Sequence, residues 1–87
     1  MRYFVYAVRD LKTGYLHPTL DQNDATAMRN FAQAICKSDT TMNFAPGDYQ
    51  LYCLGEFDSD TGTICPLEVK ALVADGAQVK DFYGGNE

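Results

Sequence analysis

The sequence predicts a small α+β domain: an antiparallel sheet of three to four strands, one main helix packed on one face, and a short C-terminal helix. Three observations carry that reading. Residues 2–9 (RYFVYAVR) and 49–57 (YQLYCLGEF) are dense in β-branched and aromatic side chains, which suit a pleated surface. Residues 58–62 (DSDTG) supply turn chemistry between the second of these and a return strand, the signature of a hairpin. Residues 23–37 repeat apolar side chains at three- and four-residue spacing, the mark of a helix with one buried stripe.

The first strand is apolar on both sides, with Tyr3, Val5 and Ala7 on one and Phe4, Tyr6 and Val8 on the other. Alternation therefore names no solvent face, and the strand suits the centre of a sheet or a subunit contact. Residues 10–19 read as a turn and irregular connection. Lys12-Thr13-Gly14 makes the tight turn, and Tyr15-Leu16 adds a short strand before Pro18 stops it. In the helix, Asp21 or Asn23 caps the N-terminus and Asp24 suits the dipole of the first turn. Its stripe is Ala25, Met28, Phe31, Ala32, Ile35 and Cys36, with Arg29, Asn30, Gln33 and Lys37 outside.

Residues 38–47 form a polar connection anchored by Met42 and Phe44. Strict alternation in the second strand puts Tyr49, Leu51, Cys53 and Phe57 on one face, and Gln50, Tyr52, Leu54 and Glu56 on the other. Gly62 is available for the left-handed position of the hairpin turn. After Pro66, residues 67–74 read as a short helix using Leu67, Val69, Leu72 and Val73, with Gly76 as its stop. The domain spans residues 1–79, and residues 80–87 (KDFYGGNE) read as a flexible tail.

Composition narrows the class. With 87 residues the chain is one modest domain, burying somewhat over ~60% of its unfolded surface. Its 46% hydrophobic and 13% aromatic content argues against disorder. Six Tyr and five Phe are many for so small an interior, so rings at an exposed face or interface, and a homodimer or higher homo-oligomer, are expected. The net charge of −5 favours solubility and opposes non-specific attraction to nucleic acid or anionic membrane. Three cysteines without CxxC spacing fit reduced thiols in a cytosol, with Cys36 and Cys53 packed as small hydrophobes. The opening MRYFVYAVRD lacks the pattern of a signal peptide, and no apolar run approaches the ~20 residues of a membrane span.

No catalytic constellation stands out, and neither enzyme activity nor a cofactor is expected. Asp58-x-Asp60-x-Gly62 resembles the start of an EF-hand loop, but its fifth position is Gly62 and its twelfth is Val69, where oxygen ligands are required. A plain turn is the better reading, and no metal is expected. His17 is the single histidine, beside Pro18, and no orienting group flanks any cysteine. One constellation remains: Arg2, Tyr3, Tyr6, Arg9, Lys12 and Tyr15 gather three of the seven basic residues and three of the six tyrosines in fifteen positions. Cations interleaved with aromatic platforms bind single-stranded nucleic acid. The competing reading is a core strand with basic ends, and the overall acidity favours it.

From Asp48-Tyr49 through Leu51-Tyr52-Cys53-Leu54-Gly55-Glu56-Phe57-Asp58 and Thr61-Gly62, the chain resembles the small nonstructural protein of gokushovirus-type microviruses, phages with single-stranded DNA genomes. Residues 3–8, Tyr15, Pro18, Ala27-Met28-Arg29-Asn30-Phe31 and Pro46-Gly47 extend the likeness to roughly residues 1–75. The resemblance implies a phage protein acting in the bacterial host cytoplasm, outside the virion shell. It implies a role in DNA binding, genome replication or the switch to single-strand synthesis and packaging. It carries no motif of DNA-contacting residues. The residues themselves nominate Arg2, Arg9, Lys12 and Arg29 for phosphates and Tyr3, Tyr6 and Tyr15 for bases. The alternative is an interaction module for a host or phage replication protein, using the acidic surface and an apolar sheet face.

Overall fold

The structure, a computed structural model, describes residues 1–84. Its frame is set by two long strands, β1 (Arg2–Asp10) and β4 (Tyr49–Asp58), paired antiparallel along their whole lengths. Two short strands pair with the outer edge of β1, β2 (Gly14–Tyr15) at Arg9 and Asp10 and β3 (Thr19–Asp21) at residues 4–6. The long β5 (Thr63–Asp75) pairs with β4 and ends the five-stranded sheet on the other side. Among the described residues there are also three α-helices, α1 (Asp24–Cys36), the single turn α2 (Thr41–Phe44) and α3 (Gly76–Gly84), and a 3-10 turn at Pro46–Asp48.

Helix α1 forms as its sequence dictates. The Asn23 side chain accepts the Thr26 N–H at 2.9 Å, which satisfies one orphan donor of the first turn. Its stripe Ala27, Phe31, Ala32 and Ile35 is buried, with Met28 and Cys36 packed alongside. Ala27 takes the place expected for Ala25, which is exposed. This stripe lies on Phe4, Tyr6 and Val8 of β1 and Tyr49, Leu51 and Cys53 of β4, and Ala74 and Val79 close the core. Tyr6 and Ile35 are fully buried. Met42 packs against this core as expected, whereas Phe44 points outward, 88% exposed.

A bulge in β4 changes which side chains face the helices. Tyr6 pairs with Cys53 but Val5 pairs with Gly55, so Leu54 is an extra residue. Beyond it the alternation reverses: Glu56 shares the side of Phe4, and Phe57 shares the side of Tyr3. The strict alternation expected for this strand therefore fails after Cys53, and Phe57 lies on the face opposite Leu51. Gly55 is required here, because a Cβ would sit 2.5 Å from the Cys65 carbonyl oxygen.

The hairpin turn is built as the sequence implies. The Gly62 N–H donates to the Asp58 carbonyl at 2.7 Å, and Gly62 has φ 76°. The Asp58 carboxylate accepts the Asp60 N–H at 2.9 Å. That bond, with the Met1 ammonium and Arg2 nearby, holds the Asp58 carboxyl below its ordinary value.

The helix expected over residues 67–74 is instead the second half of β5. Apolar spacing in so short a run fits either structure, and pairing of Ala71, Leu72 and Ala74 with β4 decides for the strand. Gly76 does not stop a helix but opens α3, where a Cβ would collide with the Pro46 carbonyl. The Asp75 carboxylate accepts the Gln78 N–H at 3.4 Å, and the Lys80 ammonium donates to the Asn43 carbonyl at 2.8 Å. Residues 80–84, read from sequence as tail, thus belong to α3, and residues 85–87 lie outside the described residues.

Candidate nucleic-acid interface

All three helices pack away from one face of the sheet, and the candidate residues divide according to which face they occupy. Arg9 pairs with Tyr15 across β1 and β2, so both stand on the uncovered face. The Arg9 guanidinium carbon lies 5.8 Å from the Tyr15 ring centre, in cation–π range. Tyr15 in turn meets Tyr52 edge to face, with centroids 5.8 Å apart and planes at 74°. The Tyr52 hydroxyl donates to the Gln50 side chain at 3.2 Å, which fixes the ring. Lys12 lies exposed in the adjoining turn, whose geometry is set by its own N–H donating to the Asp10 carboxylate at 2.9 Å. Leu72 of β5 flanks Tyr52 and is half-exposed. One exposed cation, Arg9, therefore sits beside the Tyr15 ring, which meets Tyr52, and Lys12 lies in the turn that joins the two strands.

The other nominated residues are elsewhere. Tyr6 points to the helices with no exposed surface, and its hydroxyl donates to the Asp24 carboxylate at 2.6 Å. It offers no ring face to a base, which corrects its nomination. Burial, and then the bond to Asp24, push the Tyr6 hydroxyl well above the ordinary tyrosine value. Arg2 donates to Glu56 at 2.9 Å, so its charge is already matched. Tyr3 is on the uncovered face but six residues along β1 from Arg9, roughly 20 Å away. Arg29 is exposed on α1, in the layer behind the sheet. Of the seven residues, only Arg9 and Tyr15 come together, with Lys12 in the turn between their strands.

Sequence reasoning missed Tyr52 and the groove at the other end of the same face. Val5, Leu20, Leu54, Phe57, Ile64 and Pro66 line this open groove of about 460 Å³, and its walls carry no charged side chain. The signal lay in β1, apolar on both sides, but strand β3 and the Leu54 bulge that complete the groove leave little trace in sequence.

Cys53 is buried in the core and burial pushes its thiol up, away from a reactive thiolate. Cys36 is half-buried and Cys65 is exposed. His17 is exposed in the connection between β2 and β3. Among the described residues, no cluster of three or more His, Cys, Asp or Glu is placed to hold a metal ion, and no helix is long and apolar enough to cross a membrane.

No curated protein and no solved structure matches the chain. A family model described as "Phage ORF5 protein" matches residues 3–79, a span that runs from β1 into α3 and takes in both the aromatic cluster and the groove. The chain belongs to this family of bacteriophage proteins.

Proposed function

We propose that this phage protein is a non-enzymatic single-stranded DNA-binding protein of the microvirus type. In this reading it acts in the host cytoplasm, in genome replication or the switch to single-strand synthesis and packaging. Tyr15 and Tyr52 stack on bases, while Arg9 and Lys12 meet phosphates. The observation that carries the reading is the Arg9–Tyr15–Tyr52 cluster on the helix-free face, with Arg9 and Tyr15 exposed, Tyr52 half-buried and Lys12 exposed in the adjoining turn. The net charge of −5 makes the contact local rather than a general coating of DNA.

Titration of fluorescent oligothymidylate tests it. Two phosphate contacts give a slope of log affinity on log salt near −1.4, about −0.7 per contact on a single strand. Tyr15→Ala is expected to weaken binding by about 1–3 kcal/mol, and Arg2→Ala to leave it unchanged. Absence of binding at low salt, or equal losses for Arg2→Ala and Arg9→Ala, overturns the assignment.

The apolar groove favours a second reading, a docking face for a host or phage replication protein. Leu20→Asp separates the two: it abolishes docking of such a partner and spares oligothymidylate binding.

A further inference from the structure

The two edges of the sheet are treated differently. The outer edge of β1 is covered by β2 and β3, whereas the outer edge of β5 has no partner strand among the described residues. β5 is also the longest strand, with thirteen residues, and it exposes Ile64, Val69 and Leu72, Val69 by 81%. On its inner side β5 bulges, residues 67–70 standing against Leu54 alone as β4 steps from Gly55 to Cys53 and β5 from Pro66 to Ala71. An open edge with apolar side chains is a template for another strand.

We propose that the occupant of this edge is β5 of a second copy, paired antiparallel about a two-fold axis through Val69. The charges select this register. Glu68 and Lys70 flank Val69, and neither forms an ion pair among the described residues. About Val69, Glu68 of each copy stands opposite Lys70 of the other, giving two matched cross-strand pairs. Centring the axis on Glu68 or on Lys70 places like charges opposite each other.

The faces agree as well. Leu67 and Ala71, both on the helix side, come opposite each other, and so do Pro66 and Leu72 on the uncovered side. A slip by one residue would set helix-side residues against uncovered ones. Lys70, Pro66 and the bulge at 67–70 are the kind of feature that guards an edge against strand addition; with Glu68 present, Lys70 disfavours the two neighbouring same-face registers, centred on residue 68 or 70, and not this one. The uncovered faces of the two copies then join, with the groove end of one meeting the Leu72–Tyr52 end of the other. This pairing stands whether the face binds DNA or protein.

The full chain with Cys65→Ser and Val69→Cys tests the register, because residue 69 lies directly opposite itself, where neighbouring Cα atoms fall in disulfide range. Mild oxidation is expected to give a covalent dimer on non-reducing gels, and Glu68→Cys in the same background much less of it. Analytical ultracentrifugation tests the charges. Glu68→Lys or Lys70→Glu alone should raise the dimer dissociation constant on the order of tenfold, since each turns two attractive pairs into repulsive ones. The double swap should restore wild-type association, and circular dichroism confirms that each variant is folded. A wild-type chain that stays monomeric up to about 1 mM, the weak limit of specific association, overturns the proposal. So does a double swap no better than either single change.

Discussion

The two faces of the sheet are built from the same kinds of residue and meet different surroundings. The helix side presents Phe4, Tyr6, Val8, Leu51 and Cys53, and α1 and α3 bury them. The uncovered side presents Val5, Leu20, Leu54, Phe57 and Ile64 with Tyr15, Tyr52 and Arg9, and among the described residues no helix lies over it. One tyrosine of β1 shows the contrast: Tyr6 is sealed against Asp24, while Arg9, three residues on, lies in cation–π range of the exposed Tyr15. Side-chain type does not separate core from surface here. The placement of helices does.

The difference can be broken from the covered side first. Phe31→Ala leaves a cavity under α1 and is expected to cost about 3–5 kcal/mol, read by urea unfolding, enough to unfold much of so small a domain. Gly76→Ala pushes a Cβ toward the Pro46 and Tyr49 carbonyls and is expected to cost about 1–3 kcal/mol; an unchanged midpoint would mean that α3 is not seated as described.

Tyr6→Phe removes the hydroxyl bound to Asp24, for about 1–2 kcal/mol at neutral pH. The sign of its pH dependence follows from the raised hydroxyl value. The folded state holds the Tyr6 proton more tightly than the unfolded state, so the stabilisation is complete below about pH 10. It is lost as pH rises through the folded value. The gap between wild type and Tyr6→Phe, followed by urea midpoints, should narrow as pH climbs above 10.

The uncovered side should yield the smallest changes in stability. Leu20→Gln is expected to shift it by no more than about 0.5 kcal/mol, as for an exposed position. A loss as large as that of Phe31→Ala would show that this face is core and not a binding surface.

Much of the frame was legible. The strands of residues 2–9 and 49–57, the capped helix after Asn23 and the Gly62 turn all follow from local chemistry and appear as expected. What was hidden depends on pairing across the sheet. The Leu54 bulge reverses Glu56 and Phe57, the register with β4 draws residues 67–74 into a strand, and β3 joins β1 from a stretch that reads as irregular. The site was half visible for the same reason. A strand apolar on both sides gives Tyr3, Tyr6 and Arg9 equal claims, and only the position of α1 removes Tyr6 and sets Arg29 behind the sheet. Tyr52, forty-three residues from Arg9, could be joined to it only through the β1–β4 register.

Amide chemical-shift mapping during titration with oligothymidylate at low salt tests the central claim most directly. Saturable shifts are expected at Arg9, Lys12, Tyr15 and Tyr52, with α1 around Arg29 silent. Shifts centred on α1, or none at all, would contradict the assignment of this uncovered face as a single-stranded DNA site.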